Sequence, residues 1–415
     1  MRILIVSQYF WPENFRVNDL AGEFAARGHE VTVLTGVPNY PSGKVFREYT
    51  REPERFSRFG QVSVERIPML PRGNGSIRLM LNYASFALSA SLLGAWRLRG
   101  KSFDVIFVFE PSPITVGLPA ALMRRLKRAP VAFWVLDLWP ETLQAIGAVR
   151  SQRILDAVGR LVSFIYRRCD VVLAQSRSFV PQILKYCPPG KRVEYFPSWS
   201  DAAFDFSAVD PAPEVPVSNA AFNILFAGNI GEAQDFPAII EAADLARDGG
   251  IRWLIVGDGR AAPWTREEVQ RRGLEERVLF FGQHPVERMP SFFKHADALL
   301  VSLKDTPIFA MTIPGKLQAY LAAGIPVLAM LNGEGAAIVE TAGAGISCPA
   351  GDGRALASNA LRLAAMSREE RERMGGRGRE YYAVNFDRDM LISRLLQWFE
   401  EMCGPWHLKV SGGAR

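Results

Sequence analysis

Cysteine and histidine are scarce, with four of each in 415 residues. Cys169, Cys187, Cys348 and Cys403 lie far apart and form no CxxC pair. That argues against a disulfide framework or a structural zinc site, and for a reduced, cytoplasmic protein. His29, His284, His295 and His407 fall in no metal-ligand spacing, and neither HExxH nor GxSxG occurs, so metallohydrolase and serine-hydrolase chemistry are disfavoured and no metal is expected. A Walker A loop is missing as well: Gly315-Lys316 is followed by Leu317 and lacks the upstream glycine. No nucleic-acid-binding module can be read. The opening MRILIVS is too short an apolar run for a secretory signal and reads as a strand. One long uncharged run exists, Leu79 to Trp96, at the lower edge of transmembrane length and diluted by Asn82, Tyr83, Ser85, Ser89 and Ser91. It is expected as a helix buried in the first domain, ahead of a membrane-surface helix and of a true span.

What is present is an ordinary folded composition, 48% apolar and 22% charged, long enough for two domains at about 100 to 200 residues each. The net charge of +6 gathers in Arg97/Arg99/Lys101, in Arg124/Arg125/Lys127/Arg128 and from Arg150 to Arg168. Such clusters favour an anionic partner, either lipid or a phosphorylated small molecule, over nucleic acid.

Strand-like and helix-like periods alternate from the start: Arg2 to Ser7, a helix within Asn14 to Arg27, then Glu30 to Thr35. The alternation resumes at Phe103 to Phe109, Ile114 to Arg128, Val131 to Leu136, Gln152 to Arg168 and Asp170 to Ala174. Prolines 197, 211, 213 and 216 then interrupt it. A second series follows with Asn223 to Ala227, Pro237 to Arg247, Ile251 to Val256, Val278 to Phe281, Ala298 to Leu303, Lys316 to Ala323, Pro326 to Met330 and Gly345 to Cys348. The pattern predicts two tandem doubly wound α/β domains with a ligand cleft between them. Their expected limits are 1–196, a linker at 197–220 and 221–385, then a helix at 386–402 that returns to the first domain and a tail at 403–415.

Two glycine loops and one helix start carry the expected chemistry. Pro314 and Gly315 open a helix, so the N–H groups of Gly315, Lys316 and Leu317, with the Lys316 ammonium, form an anion site suited to a diphosphate. The loop Ala227 to Gly231, with Gly228, Asn229 and Gly231, lets backbone approach the ligand from the other side. Gly257-Asp258-Gly259-Arg260-Ala261-Ala262 matches a loose dinucleotide pattern, though Pro263 and Trp264 argue against a clean helix after it.

Taken together the motifs resemble the retaining, nucleotide-sugar-dependent glycosyltransferases of family 4. They are RILIVSQYFWPE with ARGHEVTVLT, DLWPE at Asp137 to Glu141, LAQS at Leu173 to Ser176, FAGNIG at Phe226 to Gly231, VGDG at Val256 to Gly259, FFGQ at Phe280 to Gln283 and PGKLQAYLAAGIPVL at Pro314 to Leu328. The resemblance implies the GT-B fold, two Rossmann-like domains facing a cleft. The particular blend resembles the bacterial subgroup that builds capsule, colanic-acid or O-antigen units, often from UDP-N-acetylhexosamine-type donors. It implies a polyprenyl-diphosphate-linked saccharide acceptor, a place at the inner face of the cytoplasmic membrane, front-face transfer and no cofactor. Several family positions differ here. The two usual glutamates are replaced by Met311 and Ala319, the basic pair by Asn229 and Gln234, and the first-loop glycines by Glu13, Asn14 and Arg16. Glu334 or Glu340 is then expected on the ribose, Arg16 on a phosphate, Asp137 and Glu110 on sugar hydroxyls, Trp139 and Trp199 on sugar faces, with Glu141 in the acceptor region. An NAD-dependent oxidoreductase and a catalytically degenerate nucleotide-sugar binder are the alternatives.

Overall fold

The computed structural model describes residues 1–415 apart from 74, 146, 148, 150, 201–208, 219, 220 and 412–415. Much of the expected linker, the end of the tail and Arg150 therefore lie outside the described residues. The chain forms two compact units, Met1–Phe196 with Ile392–Arg415, and Pro197–Leu391.

The first unit is built on eight strands: β1 (Arg2–Val6), β2 (Glu30–Gly36), β3 (Arg58–Phe59), β4 (Val62–Ile67), β5 (Val105–Glu110), β6 (Val131–Val135), β7 (Val171–Ala174) and β8 (Arg192–Tyr195). Their order is β3-β4-β2-β1-β5-β6-β7-β8, parallel except for the β3/β4 pair. Runs such as VIFVFE and VAFWV are buried along their whole length, as strands covered on both faces must be. The helix Arg388–Ser411 enters this unit from Ile392, where Phe399 meets Phe24 and Phe107 with ring centroids 5.8 Å apart in each case.

The second unit has six parallel strands: β9 (Phe222–Ala227), β10 (Ile251–Val256), β11 (Val278–Gly282), β12 (Ala298–Ser302), β13 (Val327–Met330) and β14 (Gly345–Cys348), in the order β11-β10-β9-β12-β13-β14. Strand order reverses direction between β9 and β12, and in the first unit between β1 and β5. At such reversals the connections leave in opposite directions and open a crevice at the carboxyl ends of the strands.

Two expectations fail here. The run Leu79 to Trp96 lies in the helix Ser76–Arg97, but that helix is not buried. Its inner side, including Phe86 and Ala90, is fully covered, whereas Ile77, Met80, Leu88, Leu92 and Trp96 stand exposed. A segment apolar all round carries no sequence signal for which face the sheet takes. The chain after Gly259 does open into a helix, Ala262–Arg271. Pro263 sits in its first turn, where a missing N–H costs nothing.

Candidate active site

In the second unit the two glycine loops leave the carboxyl ends of β9 and β10 and are bound to each other. Gly228 N–H donates to Val256 O at 2.8 Å, Ile230 N–H to Asp258 O at 2.9 Å and Ala261 N–H to Ile230 O at 3.0 Å. Gly228 and Gly257 have φ of 139° and 143°. A Cβ on Gly257 would stand 1.8 Å from the Gly228 carbonyl oxygen. Close packing of loop on loop thus explains the glycines without a dinucleotide. Asp258 is exposed and its carboxylate turns back to the Gly259 amide at 2.8 Å. Gln283, just past β11, is exposed on the same edge.

Lys316 occupies the middle of this arrangement. It lies in the first turn of the helix Gly315–Ala323, for which Pro314 is the N-cap residue. Its ammonium nitrogen is shut off from solvent and has no hydrogen-bond partner among the described residues. The ammonium stands 3.6 Å from the centroid of the Phe226 ring on β9, and 3.2 Å from where a Cβ on Gly228 would be. Burial pulls the Lys316 pKa down to about 7, because the charged form loses its hydration and meets no counter-ion. The helix is fixed to β9 by the Tyr320 hydroxyl, which accepts the Ala227 N–H at 3.1 Å. Of the three amides expected to be open, Leu317 N–H is already taken by Pro314 O at 2.8 Å. No acceptor among the described residues is seen for the Gly315 and Lys316 amides at that terminus.

Around this lysine, Gln234 presents a side-chain oxygen that is buried and unpartnered among the described residues. The Asn229 side chain lies against Gly231 and Gly259. Lys304, a cation that motif reading passed over, follows β12 and pairs with Glu232 at 3.3 Å. The two glutamates weighed for the ribose separate clearly. Glu334 opens the helix Glu334–Ala342 beyond the carboxyl end of β13. Glu340 sits near that helix's other end and accepts from the Ser347 hydroxyl. It is engaged about two turns along the helix from Glu334.

The first unit's crevice is acidic and aromatic. Glu110 ends β5 and is 0% exposed, with neither carboxyl oxygen hydrogen-bonded among the described residues. Burial, and then the nearby Asp137 carboxylate, hold its pKa well above the usual range. In this geometry it cannot touch a substrate, so its expected contact with sugar hydroxyls is not met. Asp137, just past β6, is partly accessible and accepts from the Thr142 hydroxyl. Burial raises its pKa too, opposed by the Thr142 and Ser112 hydroxyls. Tyr83, from the helix Ser76–Arg97, faces both acids and is pushed up by burial.

The other expected acceptor residues disperse. Trp199 belongs to the second unit and is 1% exposed. Trp139 is also buried, with its ring against Tyr83 at 6.3 Å. Neither indole presents a face to a sugar, because the core claimed both. Glu141 accepts from the Tyr186 hydroxyl at 3.1 Å and lines a separate cavity of about 320 Å³ with Gln144, Gln152, Asp156 and Arg160. Asn14 is exposed, and Arg16 begins the helix Arg16–Ala26. Glu13 is structural: it accepts the N–H groups of Asn39 and Tyr40, each at 2.7 Å, and of Phe10 at 3.2 Å. Among the described residues no group of three His, Cys, Asp or Glu gathers to hold a metal ion.

Two parallel α/β units, each with its crevice at a strand-order reversal, define a GT-B glycosyltransferase. Anabaena HepE, solved with UDP and glucose, aligns with a TM-score of 0.67 at 16% identity over 96% of this chain and 99% of its own. Residues 14–199 match the glycosyl transferase 4-like domain and residues 221–366 match glycosyl transferases group 1. The chain belongs to the glycosyltransferases that combine these two domains. Among its relatives, the Escherichia coli colanic acid biosynthesis glycosyl transferase WcaI is 28% identical over 78% of this chain and 82% of its own. The N-acetyl-alpha-D-glucosaminyl L-malate synthase of Bacillus anthracis is 22% identical over 91% and 90%.

Proposed function

We propose that this glycosyltransferase moves a sugar of the N-acetylhexosamine type from a UDP donor to a hydroxyl of a lipid-linked saccharide. The reaction belongs to bacterial surface-polysaccharide synthesis and proceeds with retention at the anomeric carbon. The observation that carries the reading is Lys316, whose buried ammonium has no hydrogen-bond partner among the described residues, at the reversal between β9 and β12. Holding an ammonium away from water without a carboxylate beside it is costly, and the phosphates of an entering diphosphate would offset that cost. The relatives support the sugar and the setting: one is named for colanic acid and another for an N-acetylglucosaminyl product. The structural neighbour HepE holds UDP and glucose.

Breaking the donor's anomeric bond builds negative charge on the leaving diphosphate and positive charge on the sugar ring. Donors fixed at the leaving phosphate therefore stabilise the transition state more than the ground state. Lys316, protonated as the diphosphate enters, supplies that charge together with the Gly315 and Lys316 amides, so the step needs no metal and no cofactor. Glu334 takes the ribose hydroxyls, and Gln234 and Gln283 contact the donor. Asp137 orients the acceptor hydroxyl, with Glu110 behind it as a positioning residue. A phosphate oxygen of the donor accepts the acceptor's proton. An acceptor anchored in lipid keeps the enzyme at the inner face of the cytoplasmic membrane.

Thermal unfolding with UDP, GDP, ADP or NAD in separate samples tests the donor assignment. UDP at about a hundred times its Kd adds roughly 2.7 kcal/mol, and a clear shift with UDP alone is expected. A shift only with NAD overturns the transferase chemistry; a shift with none of them overturns the nucleotide-binding site itself, the degenerate-binder alternative included.

A further inference from the structure

The helix Ser76–Arg97 is apolar on both its inner and its outer side. Its polar Asn82 is buried, accepting from the Gln8 side chain at 2.8 Å and donating to Leu70 O at 2.6 Å. Gly94 on the same inner side meets Leu34 of β2. The outer side instead shows Ile77 at 76% exposed, Met80 at 67%, Leu88 at 63%, Leu92 at 62% and Trp96 at 61%. These residues recur at helical spacing along a rod of 22 residues, about 33 Å long. A soluble domain gains nothing by turning such a stripe to water.

The helix Gly117–Lys127 packs beside it, and Gln152–Arg167 packs in turn beside Gly117–Lys127. They add Leu126, Ile154 and Phe164 as exposed apolar groups, and Arg125, Arg153, Arg160 and Arg167 as exposed cations. The three helices contain one carboxylate, Asp156. Beyond their ends the Arg99 guanidinium lies 4.3 Å from the Trp96 ring centroid, and that of Arg168 lies 3.5 Å from that of Phe164. Arginine over an exposed aromatic suits the level where acyl chains meet headgroups. In the second unit, by contrast, exposed large apolar residues are scattered, as at Leu245, Trp264 and Val384.

We propose that this three-helix face is the docking surface for an anionic bilayer. The apolar stripe of Ser76–Arg97 sinks into the acyl boundary while the arginines beside it hold phosphate headgroups. The helix lies along the membrane and does not cross it, since its inner side is sealed to the sheet by Asn82, Phe86 and Ala90. The inference deepens the proposed function by naming how the enzyme meets a lipid-linked acceptor.

Sedimentation of the full chain with vesicles tests it, using phosphatidylcholine alone and phosphatidylcholine with phosphatidylglycerol, without any sugar nucleotide. The expected result is at least tenfold tighter binding to the anionic vesicles, weakened by salt. Leu88→Glu with Leu92→Glu should lower that binding at least tenfold while leaving the unfolding temperature unchanged, both sites being exposed. Arg125→Glu with Arg160→Glu should remove the preference for anionic lipid and keep residual binding through the stripe. The proposal is overturned if the parent chain stays in the supernatant with both vesicles, or if the double leucine variant sediments like the parent. It is also overturned if light scattering shows a lipid-free dimer that the leucine variant splits, which would give the face to a second copy. Because no donor is present, failed vesicle binding and a failed UDP shift are separate results.

Discussion

The carboxyl edges of the two sheets share a topology and differ in chemistry. At the edge of the second unit β9 and β10 run straight into Gly228 and Gly257, and one lysine sits over Phe226. In the first unit β5 ends in Glu110 and β6 is followed by Asp137, with Tyr83 near enough to feel both charges. Both crevices follow from the same reversal of strand order. The difference lies in a few residues at and just past the last strand positions: a buried cation at one edge, a buried acid beside a partly accessible one at the other.

The sharpest way to break this comparison is Lys316→Met, which keeps the volume and removes the charge. Its kcat/KM should fall about 10³-fold or more, as for loss of a donor to a developing oxyanion. The same variant should melt higher than the parent at pH 6. In the folded chain Lys316 titrates near 7 against an ordinary 10.5, so the folded state binds fewer protons in between and stability rises with pH across that window. Methionine removes the cost of holding the charge below pH 7, and scanning calorimetry at pH 6 and pH 9 reads both effects. A variant less stable at pH 6 would make the lysine structural.

Gly257→Ala tests the loops beneath it. A methyl group 1.8 Å from the Gly228 carbonyl oxygen, at a φ that side chains avoid, should cost roughly 2–4 kcal/mol in urea unfolding. Any UDP-dependent stabilisation should vanish with it. On the acidic side, Glu110→Gln should flatten the pH dependence of stability. The raised pKa of Glu110 makes its contribution full below the usual carboxyl range and lost as pH rises through the folded value, at up to roughly 1.4 kcal/mol per pH unit. Urea midpoints from pH 5 to 7, below the window in which Lys316 acts, should slope downward for the parent and less so for glutamine. Smallest of all, Glu340→Ala should leave turnover within about twofold, whereas Glu334→Ala raises the donor KM about tenfold in initial-rate assays.

The alternation of strands and helices was legible because each run carries its own period. The anion site was legible at Pro314 and Gly315 because helix starts are local. The burial of Lys316 was not, since the ring it stands on belongs to Phe226, ninety positions earlier, and the space beside its ammonium depends on Gly228 lacking a side chain. Glu110 read as a surface acid because nothing in FDVIFVFEP tells a last strand residue from the first loop residue. Trp199 failed for the opposite reason, as an aromatic beside prolines fits a binding loop and a core plug equally well.

The crossed bonds of the two glycine loops have a consequence for how donor preference can change. Val256, Gly228, Ile230, Asp258 and Ala261 form one hydrogen-bonded buckle, so neither loop can be remodelled without its partner. Laboratory selection for a new sugar or base should therefore leave this buckle untouched and collect its successful substitutions around the rim, at Gln283, Lys304 and Glu334, where a side chain can change length without reopening the clasp.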